Sequence, residues 1–315
     1  MQVETKMSDI PLISIIIVNY NNREYLGECL NSIRNFVSQP YEVIVVDNAS
    51  SDESCDYLRN YHSAVKVICN SENIGYSKSN NIGAKHAVGS LLLLLNSDTR
   101  LETSISPALN EFKDPRLGVV GCRLSYGDGR CQHSIGYEHS PLRIFLSWLG
   151  LGKYHLVPSI FSRVDNNELH YQHDQVSVAW VSGAFLMTRK QLWSDLDGLD
   201  ERYFMYVEDV DYCKRVRNAG YRVAYTPDVR IVHYEGGGKE WIGSVALHNS
   251  MRSYLTYIGS YYGKFIAKIF GITLGFVMTA RSCYFKCKSW MNGSPIFKEK
   301  ELAYMNAARI LTGLE

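Results

Sequence analysis

The feature that most limits what this chain can fold into is the run of five leucines at residues 91–95, followed by Asn96, Ser97 and Asp98. By periodicity alone, an apolar run of this length is either a buried strand or a piece of buried helix. The flanks decide, because Gly89-Ser90 before it and Asn-Ser-Asp after it leave too little room for a helix. A strand that is apolar on both faces belongs in a parallel sheet covered by helices. In open α/β sheets, ligands bind beyond the carboxyl ends of the strands. Asp98 falls on that edge, where it either closes a polar turn or faces a substrate or a metal bound to it.

The chain before residue 91 repeats this pattern. Residues 12–18 (LISIIIV) run into Asn19-Tyr20-Asn21-Asn22, residues 41–46 (YEVIVV) into Asp47, and residues 64–69 into Asn70-Ser71-Glu72-Asn73. Tyr25, Leu26, Cys29, Leu30 and Ile33 have helical spacing. Ser50 and Glu53 fit a capping box that starts a second helix, and a third helix follows Gly75 to about Val88. Strand and helix thus alternate four times over about ninety residues, the mark of a parallel α/β sheet. Asn19, Asp47, Asn73 and Asp98 all fall on the ligand edge, although each alone would serve as a turn former. Neither G-x-G-x-x-G nor G-x-x-x-x-G-K-[ST] occurs. A diphosphate bound here needs its charge met otherwise, and a divalent cation on Asp98, Mg²⁺ or Mn²⁺, is the economical answer.

Composition narrows the setting. A net charge of +1 over 315 residues gives no reason to expect a nucleic-acid partner. Eight scattered cysteines without a C-x-x-C pair suggest neither a zinc site nor a disulfide framework, and most are expected reduced and buried, as in the cytosol. Residues 1–11 carry Glu4, Lys6 and Asp9 without an apolar core, so no signal peptide is expected. Residues 119–121 read as another strand. Residues 125–175 read as irregular, with histidines 133, 139, 155, 170 and 173 spaced too unevenly for a shared metal, and are expected to form a loop that shapes a pocket. Extended chain resumes at 176–180. Ser182, Gly183 and Ala184 then either let a substrate approach the backbone or make a tight packing contact.

A second group of acids follows. Tyr206, Val210, Cys213 and Val216 mark one face of a helix that Gly220 stops, which puts Glu208, Asp209 and Asp211 in its first turn. Complementarity to the helix dipole explains one or two acids there. Three behind an apolar and aromatic approach repel one another and push one pKa upward, which suits a general base. His233, after the strand-like residues 229–232, is either a metal ligand or a hydrogen-bonded structural histidine.

Taken in order, residues 15–19, VVDNASSD (45–52), Asn73-x-Gly75 with Asn81, LNSD (95–98), SGA (182–184) and FMYVEDVDYCKRVRNAGY (204–221) resemble the family 2 inverting glycosyltransferases of GT-A fold, nearest to bacterial rhamnosyltransferases of O-antigen and cell-wall assembly. The resemblance spans about residues 12–235. It implies a Rossmann-like, mostly parallel sheet flanked by helices and a nucleotide-sugar donor, dTDP- or UDP-linked, contacted by Asn19, Asp47, Asn73, Gly75, Asn81 and Asp98. Asp47 would read the nucleobase imide. Asp98 and His233 would hold the metal, with Asn96 in place of the first acid of the D-x-D motif, which leaves one carboxylate there. Ser182, Gly183 and Ala184 would face the acceptor, and Asp209 would be the base, with Glu208 the second choice.

The implied organisation is a catalytic domain over residues 1–240, with a nucleotide-sugar half at about 12–122 and an acceptor half at about 123–240, followed by a helical segment at 241–315. That segment is rich in aromatic and aliphatic residues, but its longest uncharged run is the 12 residues 269–280, short of a bilayer span. With Arg281, Lys286 and Lys288 following, it suits a membrane interface, or else a hairpin packed on the domain or on a second subunit. Because the family's acceptors are often polyprenyl-linked, the expectation is a cytoplasmic enzyme peripheral on the inner face of the cytoplasmic membrane, with a lipid-linked glycan acceptor and oligomeric state open. A galactofuranosyl- or hexosyltransferase and a catalytically silent nucleotide-sugar-binding subunit are the rivals. A nucleotidyltransferase lacks its glycine-rich loop here, and a processive synthase lacks its transmembrane helices.

Overall fold

The computed structural model describes residues 13–150, 161–175, 177–234 and 243–314. Residues 1–11, His155, Val176 and Trp241, on which parts of the sequence reading fall, lie outside the described residues. The chain opens with β1 (Ile13–Asn19), α1 (Arg23–Phe36), β2 (Tyr41–Asp47), α2 (Ser54–Tyr61), β3 (Lys66–Cys69), α3 (Tyr76–His86) and β4 (Leu91–Asn96). These strands pair in parallel in the order β3-β2-β1-β4, with Ile13 opposite both Tyr41 and Leu91. The leucine run is buried throughout because its two faces feed two cores. Leu91, Leu93 and Leu95 pack with Leu26, Leu30 and Ile33 of α1, whereas Leu92 and Leu94 pack on the opposite face with Ala84 of α3.

Past β4 the sheet becomes mixed. β5 (Thr99–Leu101), α4 (Ser106–Glu111), β6 (Leu117–Ser125), β7 (Cys131–Gln132), β8 (Ile135–Gly136), α5 (Pro141–Leu149), β9 (Trp180–Val181), β10 (Phe185–Arg189), α6 (Lys190–Asp195), α7 (Glu208–Asn218) and β11 (Arg222–His233) follow. β10 inserts antiparallel between β4 and β6, so one sheet, β3-β2-β1-β4-β10-β6-β11-β5, carries both halves of the chain. That insertion brings Ser182–Ala184 beside the end of β4, where Asn96 N–H donates to Ala184 O (3.2 Å).

Three helices close the chain: α8 (Gly243–Tyr262), α9 (Lys264–Asn292) and α10 (Pro295–Thr312). Tyr254, Tyr257 and Ile258 of α8 share a core with Tyr212 of α7 and Leu92 of β4. A Cβ on Gly271 of α9 would stand 2.3 Å from Leu311 O, so the backbones of α9 and α10 touch there. α9 is long and apolar enough to cross a membrane by length and composition, and Phe265, Phe276 and Trp290 lie exposed along it.

Three local expectations are corrected. Ser50 and Glu53 form no capping box: Ser50 turns back to Asp47, Glu53 is left-handed (φ 62°) and pairs with Arg23 (2.9 Å), and α2 starts at Ser54, whose N–H and hydroxyl donate to Asp52 Oδ1. The stretch read as irregular contains α5, started by Pro141 and capped by Ser140, whose hydroxyl accepts from Arg143 N–H (3.2 Å). Cys55 and Cys69 form a disulfide between α2 and β3, which scattered spacing did not suggest, and Cys283 and Cys287 are exposed rather than buried.

Candidate active site

A cavity of about 580 Å³ opens over the carboxyl ends of β1 and β4 and is roofed by α5, α7 and α8. Asn73, Asp98, Ser182, Gly183, Ala184, Glu208, Asp209 and His233, separated by up to 160 residues of sequence (73 to 233), line it together. Asn19, Asp47, Gly75 and Asn81 do not line it.

Those four are placed behind the wall. The Asp47 carboxylate, only 1% exposed, accepts from Asn19 Nδ2 (2.8 Å), Ser50 N–H (2.9 Å) and Ser50 Oγ (2.6 Å). Its neighbour Asn48 does reach the cavity, while its side chain donates to Gly75 O and accepts from Asn70 and Ser79. Gly75 has φ +88°, and a Cβ there would lie 2.6 Å from Phe204 O, the acceptor of Tyr76 N–H (2.7 Å). This position requires glycine so that the 204–207 loop can lie against α3. Asn81, expected at the donor, is instead a tether. Its Nδ2 donates to Leu199 O (2.8 Å) and its Oδ1 accepts from Leu199 N–H (2.9 Å), which leaves the amide facing the turn before residue 204.

The 204–207 loop sets up the acids. Tyr206 and Val207 both have φ of 71°, rare for any side chain and an outlier for a β-branched one. Such conformations cost ~1–3 kcal/mol each and persist where the surroundings over-determine them. They swing α7 so that its first turn faces the cavity, and the three acids separate into three roles. Asp211 is structural: Arg215 Nε (2.7 Å) and the Tyr261 hydroxyl (2.7 Å) donate to it, pinning α8 to α7. Asp209 is held at the cavity by two backbone donors, Gly183 N–H to Oδ2 (2.9 Å) and Val210 N–H to Oδ1 (2.8 Å). Glu208 is buried, and among the described residues its Oε2 has no hydrogen-bond partner. Burial pushes the Glu208 carboxyl well above its usual range, and repulsion from Asp209 adds to this. Burial also raises Asp209, with the two backbone N–H groups pulling the other way. The two backbone donors favour a charged Asp209, whereas Glu208 Oε2 has no such donor among the described residues. Gly183 serves it through its N–H, while its C=O accepts from Tyr76 Oη (2.8 Å).

Across the cavity, His233 Nε2 stands 3.3 Å from Asp98 Oδ1 and 3.1 Å from Asn96 Nδ2. On its other side, His233 Nδ1 meets Gln132 Oε1 at 3.0 Å. An amide oxygen can only accept, so Nδ1 donates to Gln132, while Nε2 accepts from Asn96 Nδ2 beside the Asp98 carboxylate. Two ligands at right angles on a cation with ~2.1 Å bonds stand about 3 Å apart, close to the observed pair. Asn96 Oδ1 beside them is buried and has no hydrogen-bond partner among the described residues. An imidazole, a carboxylate and an orphaned amide oxygen suit a hard divalent cation, so these residues fit the implied metal. The sequence profile of Glycosyl transferase family 2 matches residues 14–191, more than half of the chain.

The chain belongs to that family. Among its relatives, the N-acetylglucosaminyl-diphospho-decaprenol L-rhamnosyltransferase of Mycobacterium tuberculosis is 25% identical over 263 residues, 77% of this chain and 82% of that one. The rhamnosyltransferase WbbL of Escherichia coli is 25% identical over 261 residues, 78% and 92% of the two chains. The mannosyltransferase PcManGT of Pyrobaculum calidifontis, solved with GDP-Man and Mn²⁺, superposes with a TM-score of 0.58 at 16% identity, over 97% of this chain and 88% of that one. The fold is GT-A.

The cavity of this glycosyltransferase also holds residues that the sequence reading did not assign a role. Gln132 sets the His233 tautomer, yet lies in a two-residue strand in a stretch read as loop. His139, Trp148, Arg163 and Trp180 line the cavity's far half. Their only visible signal was the excess of aromatic and histidine residues over 125–175.

Proposed function

We propose that this glycosyltransferase transfers a sugar, L-rhamnose from dTDP-rhamnose before other donors, to a hydroxyl of a polyprenyl-linked glycan, with inversion at the anomeric carbon. The carrying observation is Asp209: a cavity carboxylate oriented by two backbone N–H groups, opposite the Asp98–His233 pair. Asp209 takes the proton of the acceptor hydroxyl, whose oxygen forms the new bond as the nucleoside diphosphate departs from the opposite face. Glu208, holding its own proton to higher pH, leaves Asp209 as the base. Asp47, expected at the nucleobase imide, is buried behind the wall and bonded to Asn19 and Ser50, so its part in donor binding here is to hold those residues at the edge. Asn73, Asn48 and Asp98 lie on the donor side, and Ser182–Ala184 on the acceptor side. A divalent cation, Mg²⁺ or Mn²⁺, held by Asp98 and His233 would stabilise the charge developing on the leaving diphosphate.

The rhamnosyl preference is supported by the names of the two relatives above, and a UDP-galactofuranose or UDP-hexose donor is the second reading. For membrane attachment, the support is the outward face of α9, where Phe265, Phe276 and Trp290 are exposed and Lys264, Lys268, Lys286 and Lys288 share the helix. Each cation near an anionic leaflet adds ~1 kcal/mol. Because α8 shares the catalytic core, the membrane-facing part is narrower than residues 241–315, and peripheral attachment at the inner face of the cytoplasmic membrane is the arrangement proposed.

The test is saturation-transfer NMR of the full chain with Mg²⁺ or Mn²⁺ against dTDP- and UDP-sugars, run alongside Asp98→Ala and Asp209→Asn. The reading requires one donor to bind, to weaken in Asp98→Ala and to persist in Asp209→Asn. Absence of binding by any nucleotide sugar at millimolar concentration overturns it.

A further inference from the structure

The cavity's far half carries polar groups that proton abstraction does not use. Arg163 donates through Nε to Ser147 Oγ (3.2 Å) on α5, its guanidinium lies 5.9 Å from the Tyr254 ring of α8, and among the described residues it makes no ion pair. Two other lining residues, His139 and Trp148, are held close by. His139 Nδ1 and Trp148 Nε1 are buried and have no hydrogen-bond partner among the described residues. An indole nitrogen can only donate. Burial, and after it the Arg163 charge, pushes His139 down to about 3, so its ring is neutral. The other carboxylates in the area are engaged: Glu138 with Lys214 and Arg217, Asp165 with His170. Three carboxylates share the cavity with Arg163: Glu208, Asp209 and Asp98, and the last stands against His233 (3.3 Å). Trp148 is also the link to the long apolar helix, because Arg281 of α9 donates to Trp148 O (2.6 Å) and lies 5.7 Å from its ring.

We infer that Arg163, with Trp148 and His139 beside it, receives a phosphate or diphosphate group carried by the acceptor. A guanidinium is the side chain best matched to bidentate phosphate binding, and an unengaged indole N–H adds a neutral donor. Through Trp148 and Arg281 this anion site adjoins α9, among the described residues the one helix long and apolar enough to cross a membrane, as a lipid-linked phosphate requires. The inference rests on the transferase reading for the word acceptor, but not for the binding itself.

The test therefore has a donor-free arm. Decyl diphosphate is titrated into the full-length wild type, Arg163→Gln and Arg163→Lys and followed by ³¹P NMR. Binding by wild type, at least about tenfold weaker binding by Arg163→Gln and partial recovery in Arg163→Lys are expected. In the second arm, one sugar is offered as acceptor on decyl diphosphate and as a neutral decyl glycoside. Arg163→Gln should raise KM for the first by about tenfold or more over whatever change it makes to the second. Wild type that does not bind decyl diphosphate, or Arg163→Gln that binds it equally well, overturns the inference. Equal loss on both acceptors with a displaced pH–rate profile also overturns it, since Arg163 would then only bias the charge of Asp209. Should no sugar be transferred at all, the transferase reading fails and the donor-free titration still decides this one.

Discussion

Asp47 and Glu208 are both almost completely buried carboxylates, 1% and 5% exposed, in opposite electrostatic settings. Asp47 ends a strand in register with β1, which delivers Asn19 directly opposite it, and the following turn supplies Ser50. Three donors meet it. Glu208 sits behind two residues of left-handed backbone, at a helix start beside Asp209 and Asp211, and among the described residues its Oε2 meets no donor. The donor edge is thus assembled by regular sheet geometry with its polar groups already bonded to one another. The acid cluster is held against its own electrostatics by packing from α8. Buried polar groups left unpaired cost stability, and such sites are where function concentrates.

The largest expected effect comes from removing the base. Asp209→Asn keeps the side chain's size but loses the proton acceptor and one of the two oxygens that accept from backbone N–H groups, and kcat should fall by about 10²–10⁴, with donor affinity in the NMR titration unchanged. An active Asp209→Asn accompanied by an inactive Glu208→Gln would reverse the roles assigned to the two acids. Asp211→Ala separates structure from chemistry within the same turn. It strands Arg215 and frees the Tyr261 hydroxyl, and because Arg215 is about a quarter exposed the loss should lie toward the lower end of ~3–5 kcal/mol. Thermal melting reads it directly, and an unchanged midpoint would mean that α8 is held by packing alone.

Gln132→Leu tests the donor side. Loss of the acceptor that fixes His233 should weaken Mn²⁺ binding by about 10–100-fold while leaving the melting midpoint near wild type, a contrast that calorimetric metal titration measures. The smallest effect concerns pH. The folded Glu208 keeps its proton above its ordinary value of 4.5, so from that pH upward the unfolded chain binds fewer protons than the folded one and stability falls as pH rises through the window. Glu208→Gln removes this slope. It should melt above wild type at about pH 8, and the difference should vanish near pH 4, where both states carry the proton. A gain that persists at pH 4 would have another cause.

Much of this was legible in the chain itself. Five leucines between turn residues are enough to specify a doubly buried strand, because nothing but a covered sheet hides both faces of so short a segment. The alternation before it orders the parallel half, and the ends of those strands mark Asn73 and Asp98 at the cavity. Helical spacing after Tyr206 places three acids in one turn. Spacing could not say which acid meets solvent, which meets Arg215 and which is left without a partner. Those roles depend on Gly183 and Tyr261, brought in from other parts of the chain, as well as on Arg215 one turn further along α7. Nor could it reveal that Asn81 faces Leu199, that Gln132 orients His233, or that Cys55 lies against Cys69. Local patterns report whether a side chain is buried, since burial follows the period of its own element. They do not report what it is buried against, because that neighbour is chosen by the insertion of β10 into the sheet and by the docking of α8, events that join residues far apart in sequence.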